Sequence, residues 1–404
     1  MARHEAWDLA QMQSLPLEAK KRMTKDRIKV WYETWKRFDI CNKATGKTRF
    51  KTIAVKDVFT EPPLKKNEYV LAVYDGQAYV SISGGKDSTV LADLCAQVCQ
   101  ENGWVLYLLF VNTGLEYPEI QKFVKTFADY LRQAYSIEVI LEIVRPEMRF
   151  DEVIKQYGYP VVTKEVSKRL YEYSNAKEKG NLSECLAYQE FNGLRKNNDG
   201  ESFYNKKQWK FLLDAPFRAS HKCCDVMKKA PAKKYEKKTG RKPIIGTMAY
   251  ESRARKNNWL RFGCNSFDSN RPTSQPLSFW TDQDIYHYIK KFNVPFCSVY
   301  GDIVIDDNTE DVLPGQINMI DYLGCYEQND LLKTTGCDRT GCIFCMFGCH
   351  LDKEPNRFQR LKETHPRQYE YCINGGEMVD GMWQPSKQGL GLGKVLDYIG
   401  VKYD

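Results

Sequence analysis

The segment AYVSISGGKDSTVLADLC, residues 78–95, decides the fold class because it joins three features in a fixed order. Residues 78–82 form a short apolar run typical of a buried strand, and residues 89–95 continue as a helix with one apolar face. Between them, Gly84 and Gly85 allow a tight turn whose successive amide groups point at an anion. This order predicts a phosphate-binding loop, with the helix N-terminus adding its dipole.

The side chains of this loop suit the same purpose. Ser83 and Ser88 can donate hydroxyl hydrogen bonds, Lys86 supplies a positive charge, and Asp87 can orient the loop or share a magnesium ion. A glycine turn with ordinary helix caps is the alternative, and the order of strand, turn and helix favours the phosphate site. The spacing is not that of a Walker A loop, which needs four residues between its first glycine and the Gly-Lys pair.

Outward from the loop, apolar runs at residues 104–111 and 137–144 predict two more strands, and residues 121–133 have helical periodicity. The resulting order of strand, helix, strand, helix, strand is typical of a parallel sheet. A later strand is expected at residues 243–246, and Thr281 is expected to cap a helix. We therefore predict an α/β fold with a Rossmann-like parallel sheet flanked by helices.

Three regions are expected along the 404 residues. Residues 1–68 form a helical N-terminal segment and a connector that closes at the Pro62-Pro63 break, and residues 69–300 form the α/β domain. Residues 175–208 are polar and lysine-rich, which predicts a mobile or inserted segment. Residues 301–404 form a small cysteine-rich, metal-stabilised C-terminal region.

The composition excludes a membrane protein and a small disulfide scaffold. Hydrophobic residues make up 42% and charged residues 28% of the chain, and no apolar run is long enough to span a bilayer. The N-terminus has no apolar signal region, and we expect a cytoplasmic protein.

A basic segment at residues 228–242 is more informative about partners than the overall charge of +8. A helix that begins at Pro231 and ends near Gly240 would present its lysines on one face. This face is either simply solvated or binds phosphate or nucleic acid.

The cysteines cluster locally, which favours metal binding. Cys342 and Cys345 are spaced to share one metal, and Cys337 and Cys349 lie within reach on either side. Four sulfurs fit zinc or an iron-sulfur cluster equally well. A zinc knuckle that uses His350 is one alternative, and buried free thiols without a metal are another. Arg339 could donate to the sulfurs or to a nucleotide phosphate.

The loop at residues 83–88 resembles the PP-loop of the ATP pyrophosphatase (adenine nucleotide alpha hydrolase) superfamily, whose fold is of the HUP type. Further similarities point to the phosphoadenosine phosphosulfate reductase family. Asn112 to Glu119 is similar to the family's Thr-Gly loop, with Asn112 in place of an aspartate, and the segment from Gly246 to Arg255 is similar to its Gly, Glu-Ser, Arg block, with Met248 where an arginine is common. Pro276-Leu277, Trp280-Thr281 and Asp284-Ile285 resemble a third block, although a tryptophan such as Trp280 is more often core than binding site.

The resemblance implies a set of functional residues. The catalytic residues would be Lys86, Asp87 and Ser88. The nucleotide-binding residues would be Ser83, Gly84, Gly85, Lys86, Asp87, Ser88, Thr89, Thr113, Gly114, Glu116, Gly246, Glu251, Ser252 and Arg255. Cys223 and Cys224 with Cys342 and Cys345 resemble the ligands of a four-iron four-sulfur (4Fe-4S) cluster in the family, with Cys337 and Cys349 as alternates and zinc as the alternative metal.

The reaction implied is cleavage of ATP at the α-phosphate, with Mg²⁺, to adenylate an acceptor for iron-sulfur-assisted sulfur transfer. The analogues are the DNA phosphorothioation and tRNA thiolation enzymes, which imply nucleic acid and a sulfur-donor protein such as a cysteine desulfurase as partners. Reductive cleavage of adenylyl sulfate or its 3′-phosphate is the alternative, but the Glu-Cys-Gly-Leu-His string of those reductases is absent here. A non-catalytic nucleotide or nucleic-acid binding module is the third possibility.

Overall fold

The computed structural model describes residues 4–55, 60–198, 200–306 and 331–404. The chain divides into two compact units, each built from several segments. Unit 1 comprises residues 1–111, 117–144 and 232–340, and unit 2 comprises residues 112–116, 145–231 and 341–404. The three regions expected from the sequence do not coincide with these units and stay a prediction.

The helices and strands follow one another as an α/β pattern with a β-rich N-terminal portion. The helices are α1 (Ala6–Gln13), α2 (Leu17–Thr34), α3 (Lys86–Asn102), α4 (Pro118–Tyr135), α5 (Phe150–Tyr157), α6 (Lys164–Glu178), α7 (Leu186–Phe191), α8 (Ala230–Thr239), α9 (Arg253–Phe262), α10 (Asp282–Phe292), α11 (Arg357–Thr364), α12 (Pro366–Ile373) and α13 (Leu392–Tyr398). The strands are β1 (Trp35–Asn42), β2 (Thr48–Ala54), β3 (Glu68–Tyr74), β4 (Ala78–Ser81), β5 (Leu106–Val111), β6 (Val139–Val144), β7 (Lys196–Asn197), β8 (Gly200–Glu201), β9 (Lys242–Ile245), β10 (Asn265–Ser266), β11 (Thr273–Ser274), β12 (Ile303–Ile305), β13 (Leu332–Thr334), β14 (Gly376–Val379) and β15 (Met382–Pro385).

Unit 1 is built on a six-stranded sheet in the order β10-β11-β9-β4-β5-β6. The strands from β11 to β6 pair in parallel, and only β10 is antiparallel to its neighbour. Val80 of β4 pairs with Leu108 of β5 on one side and with Ile244 of β9 on the other, so β4 is central and its carboxyl end is flanked by two strands. The α/β fold class predicted from the sequence is confirmed.

Helix α3 follows β4 directly and belongs to the core. Twelve of its 17 residues are buried, and it packs against α2, α4 and α10 as well as the neighbouring strands. Burial on almost every side fixes the helix, and so fixes the loop that precedes it. Thr281 caps α10 as expected, since its hydroxyl accepts from the amide of Asp284.

The N-terminal region is only partly helical. Helices α1 and α2 are present, but the residues expected as a connector form β1 and β2, which with β3 make an antiparallel sheet in the order β2-β1-β3. Strand β1 buries Trp35, Phe38 and Ile40, and Trp31 of α2 packs edge-on to Trp35. Phe38 and Ile40, two positions apart, thus give this strand a buried face, and Trp35 is buried at its start, although charged residues obscure the pattern in the sequence.

Unit 2 contains α5 to α7, the hairpins β7-β8 and β14-β15, and α11 to α13. In its polar segment, expected as mobile or inserted, Glu190 is completely buried, and Arg169, Arg195 and Lys206 all donate to its carboxylate. Burying a carboxylate requires such compensation, and the three cations provide it. The described residues of this segment therefore have a defined structure around one acidic side chain.

Candidate active site at the PP-loop

The loop predicted to bind phosphate turns at Gly84, which has a φ of +74°. A Cβ atom at this position would lie 2.7 Å from Cγ2 of Ile120 in α4. Both the backbone angle and the contact demand a residue without a side chain. Gly84 therefore turns the chain where β4 ends and lets the loop lie directly against α4.

Serine and threonine hydroxyls brace the loop from inside. The hydroxyl of Ser88 accepts from the amide of Ser83 at 3.1 Å and donates to the carbonyl of Gly85 at 2.9 Å. The hydroxyl of Thr89 donates to the same carbonyl at 3.0 Å. These bonds hold the two ends of the loop together, so the side chains of Ser88 and Thr89 stabilise the turn. The hydroxyl of Ser83 also takes part, since it lies 3.1 Å from that of Ser88.

Several amide groups of the loop remain available as donors. The N–H groups of Gly84, Asp87 and Ser88 have no acceptor within the part of the chain that the structure describes. Two of them belong to the first turn of α3, where a helix leaves its donors unpaired and its dipole favours an anion. A phosphate group matches this arrangement in charge and in the number of its acceptor oxygens.

Lys86 lies at the first position of α3 and is only 5% exposed. Its ammonium donates to Asp87 at 3.0 Å and to Asp282 of α10 at 2.5 Å. Burial on its own would lower the pKa of Lys86, but the two carboxylates reverse this and hold the pKa above its ordinary value. Lys86 is therefore fully charged at neutral pH and is held beside the free amides.

Asp282 contacts the candidate site, and the sequence does not single it out. It lies 196 positions after Lys86, and its second oxygen accepts from the hydroxyl of Tyr250. Burial would raise the pKa of Asp282, but Lys86 and Tyr250 together lower it, so the group is a carboxylate at neutral pH. In the sequence, Asp282 stands out only by its place directly after the cap residue Thr281. Acidic residues are common at helix N-termini because they interact favourably with the helix dipole, so this place does not indicate a site.

The segment from Gly246 to Arg255 reaches the loop through its glycine. A Cβ at Gly246 would lie 3.1 Å from the carbonyl oxygen of Asp87, so this position admits a close approach of two backbones. Ser252 caps α9 by accepting from the amide of Arg255, and Glu251 pairs with the Arg255 guanidinium. Glu251 and Ser252 thus have structural partners in the described chain, while Asp87 interacts electrostatically with Arg255.

Two residues of the third block are structural. Trp280 is fully buried and donates from its indole nitrogen to Thr24 of α2 at 2.9 Å. Asp284 accepts two hydrogen bonds from the buried ammonium of Lys20, at 2.8 and 2.7 Å. Both side chains attach α2 to the α/β core rather than facing the loop.

The residues Thr113, Gly114 and Glu116 form a closed turn within unit 2. Glu116 accepts from the amide of Thr113 at 3.0 Å and from its hydroxyl at 2.7 Å, and Gly114 has a φ of +75° with open space around it. The carboxylate of Glu116 is thereby used locally, and its predicted part in nucleotide binding stays a prediction.

Cys223, Cys224, Cys342 and Cys345 all lie in unit 2 and interact with one another electrostatically. The sulfurs of Cys223 and Cys224 are 4.0 Å apart. Burial raises the pKa of Cys342 to about 11, whereas the hydrogen bond from Cys223, with Lys164 and Lys228 nearby, lowers the pKa of Cys224 to about 6.

Cationic groups surround these thiols. Lys228 is stabilised in its charged form: burial would lower its pKa, but Cys342 and Glu116 raise it. Arg357 donates to the carbonyls of Cys345 and Phe347 and so fixes the turn after the Cys-X-X-Cys pair. Positive charge beside several thiols is the environment that stabilises thiolate ligands.

The alternate ligands are placed differently. Cys337 belongs to unit 1, where its thiol donates to the hydroxyl of Tyr117 at 3.7 Å, whereas Cys349 is in unit 2 and interacts with Cys345. His350 packs edge-on to Trp209, and its Nδ1 is buried without a hydrogen-bond partner among the described residues. In the described ranges, no group of three or more His, Cys, Asp or Glu side chains is arranged to hold a metal ion, so the ligand set and the metal stay predictions.

The basic segment divides into two sets. Lys233, Lys234, Lys237 and Lys238 of α8 are exposed, as expected for one cationic helical face. Arg241 instead lies over the ring of Tyr107 and Lys242 over the ring of Trp35, at 3.4 and 5.0 Å from the ring centroids. The first set is exposed on α8, whereas Arg241 and Lys242 are engaged in these ring contacts.

Comparison with known families assigns the α/β region. The family model described as phosphoadenosine phosphosulfate reductase domain matches residues 77–211 and 188–346 in two overlapping parts. These matches span the PP-loop, α10 and all four cysteines of the first ligand set. No curated protein matches the chain. No helix in the described ranges is long and apolar enough to cross a membrane.

Proposed function

Because this chain belongs to the phosphoadenosine phosphosulfate reductase domain family, we propose that it cleaves ATP between the α- and β-phosphates to adenylate an acceptor, which then receives sulfur. In the first step an acceptor oxygen or carbon-bound heteroatom attacks the α-phosphorus, and the bond to the β-phosphate oxygen breaks. The products are an adenylated acceptor and pyrophosphate. The second step displaces AMP by a sulfur nucleophile.

The observation that carries this proposal is the PP-loop, where three amide donors without an acceptor in the described part of the chain lie next to the charged side chain of Lys86. Negative charge develops on the transferred phosphoryl group and on the leaving pyrophosphate, and fixed donors stabilise that charge without reorganisation. Lys86 is held between Asp87 and Asp282, so its position is set before the nucleotide binds. Mg²⁺ would assist by neutralising phosphate oxygens, with Asp87 as the candidate protein ligand.

The cysteines support the sulfur-transfer part of the proposal. Cys223, Cys224, Cys342 and Cys345 would hold a 4Fe-4S cluster, which supplies electron- or sulfur-transfer chemistry when bound, and zinc is the alternative metal. The chain itself supplies the positive groups Lys164, Lys228 and Arg357 around the thiols.

Reduction of a sulfonucleotide is less well supported. Such a reaction needs an accessible nucleophilic cysteine, and the candidates that could replace the missing C-terminal one are Cys349 and Cys372. Cys349 is 2% exposed and Cys372 is completely buried within α12. Burial raises the pKa of both thiols, which makes each a poor nucleophile.

Product analysis tests the proposal. We expect anaerobically purified protein with Mg-ATP and a mixture of tRNA and duplex DNA to release pyrophosphate, and expect no sulfite from adenylyl sulfate or its 3′-phosphate. Lys86→Ala should abolish pyrophosphate release, and Lys125→Ala, on the exposed face of α4, is the matched control. Sulfite release would establish the reductase instead, and ATP binding with no turnover would establish a non-catalytic module.

The metal and partners are tested separately. Iron analysis and ultraviolet-visible spectra should show a cluster that is lost in Cys345→Ser and kept in Cys185→Ser, whereas a colourless, zinc-loaded protein would overturn the cluster. Nucleic-acid binding through Lys233, Lys234, Lys237 and Lys238 should weaken with salt, the affinity for duplex DNA falling by about 0.9 logarithmic units per phosphate contact for each tenfold rise in salt concentration. A sulfur-donor protein such as a cysteine desulfurase is the expected second partner.

A further inference from the structure

Tyr300 and Thr340 bring two hydroxyl groups to the N-terminus of α3. The hydroxyl oxygen of Tyr300 accepts a hydrogen bond from the amide of Lys86 at 3.1 Å, across 214 positions of sequence. The hydroxyl of Thr340 lies 2.7 Å from that of Tyr300, and either can be the donor. A Cβ on Gly85 would lie 3.0 Å from the Thr340 hydroxyl and 3.2 Å from the Tyr300 hydroxyl, so both groups lie directly over the PP-loop.

The backbone around Tyr300 is fixed rather than loose. Its carbonyl accepts from the amide of Gly336 at 2.8 Å, and the carbonyl of Val299 accepts from the amide of Cys337 at 2.9 Å. The side chain of Tyr300 is 2% exposed. The hydroxyl is therefore held over the loop by a paired backbone and by packing, which is the arrangement that preorganised binding groups require.

The phenolic hydrogen of Tyr300 decides whether this side chain can donate to a ligand. Burial raises the pKa of Tyr300 to about 12, so the phenol keeps its hydrogen at neutral pH. Since its oxygen already accepts from Lys86, that hydrogen is left to be donated. Thr340 provides an acceptor hydroxyl 2.7 Å away, and an anion bound to the amides of Gly84, Asp87 and Ser88, which have no acceptor among the described residues, would provide another.

We propose that Tyr300 is a nucleotide-binding residue whose hydroxyl donates to a phosphoryl oxygen held by the PP-loop, and that Thr340 competes for the same hydrogen in the nucleotide-free protein. This inference rests on the proposed function, because it needs a phosphorylated ligand at the loop. Nucleotide binding then exchanges a neutral hydrogen bond for one to a charged oxygen, which is the stronger of the two.

The two hydroxyls therefore have opposite expected effects. Tyr300→Phe removes the donor and leaves the amide of Lys86 without its acceptor, and we expect Mg-ATP to bind about 10- to 100-fold more weakly. Thr340→Val keeps the shape of the side chain but removes the competing acceptor, and we expect affinity to stay the same or to increase a few-fold. If the pair merely braced the loop, both substitutions would weaken binding alike.

Equilibrium dialysis of Mg-ATP and of inorganic pyrophosphate against the full chain tests this. Tyr159→Phe is the matched control, since Tyr159 is 1% exposed and donates to the carbonyl of Leu390 at 2.8 Å within unit 2. Equal affinities of parent and Tyr300→Phe, or weakening by Thr340→Val, would overturn the inference and leave the proposed function standing. If Tyr300→Phe does not fold, Thr340→Val alone decides. A parent that binds neither probe would overturn both.

Discussion

Substitution of Gly84 by alanine perturbs the PP-loop in two ways that the structure separates. The backbone of Gly84 has a φ of +74°, and an alanine in the left-handed region costs about 1–2 kcal/mol. The new methyl group would also lie 2.7 Å from Ile120, and relieving such a contact in a packed core costs about 1–3 kcal/mol. We therefore expect Gly84→Ala to lower the free energy of unfolding by about 2–5 kcal/mol.

A glycine at the other end of α3 allows the backbone contribution to this loss of stability to be measured alone. Gly103 caps the C-terminus of α3 with a φ of +66°, and nothing lies within 4 Å of the Cβ that it would carry. Gly103→Ala should therefore cost only about 1–2 kcal/mol. The difference between the two losses in free energy of unfolding gives the cost of the contact between the new methyl group and α4.

Urea unfolding of both variants, and of Gly84→Ala combined with Ile120→Ala, completes the test. Ile120→Ala removes the atoms that the new methyl group meets, so the double variant should be more stable than the sum of the single effects predicts. Mg-ATP affinity should fall in Gly84→Ala and stay at the parental value in Gly103→Ala. Equal destabilisation by both glycine substitutions, with additive behaviour of the double variant, would refute the close packing of the loop on α4.

Two further substitutions test the surroundings of the loop. Lys20→Met leaves the carboxylate of Asp284 buried without its cationic partner, and we expect urea unfolding to show a free energy of unfolding lower by about 3–5 kcal/mol. The Mg-ATP affinity of the folded protein should not change. A loss of affinity would contradict a purely structural role of this ion pair. Asp282→Asn should change the pH dependence of stability, because Lys86 and Tyr250 outweigh burial and lower the pKa of Asp282 in the folded protein. The stability that this carboxylate contributes is present above its ordinary pKa of 3.8 and is lost as the pH falls below it, so the parent should lose more stability between about pH 5 and pH 2 than the variant; parallel acid profiles would contradict the pairing with Lys86.

The features predicted from the sequence are those that local pattern determines. Strand, glycine turn and helix at residues 78–95 are a continuous stretch, and so are the later strands and the cap at Thr281. Each depends on backbone geometry and on neighbours a few positions away, which is why periodicity and turn chemistry predict them. The family assignment from the same motifs is confirmed as well.

The features that were missed depend on contacts between distant parts of the chain. Asp282 and Tyr300 reach Lys86 from 196 and 214 positions away, and nothing local distinguishes them from ordinary helix-start and core residues. The core position favoured for Trp280 is found, and the contact that fixes it, with Thr24 of α2, is likewise distant in sequence. Strand β1 was not predicted because Lys36 and Arg37 separate the buried Trp35 and Phe38 in a region expected to be a connector.

Under the proposed function, the PP-loop directs cleavage to the α-phosphate of ATP. ATP labelled at the α-phosphorus, incubated with the anaerobically purified protein, Mg²⁺ and a mixture of tRNA and duplex DNA, tests it most directly. We expect the label to appear in AMP or on the nucleic acid, together with an equal amount of unlabelled pyrophosphate, and we expect Lys86→Ala to form neither. Label appearing in ADP, with release of inorganic phosphate, would contradict it.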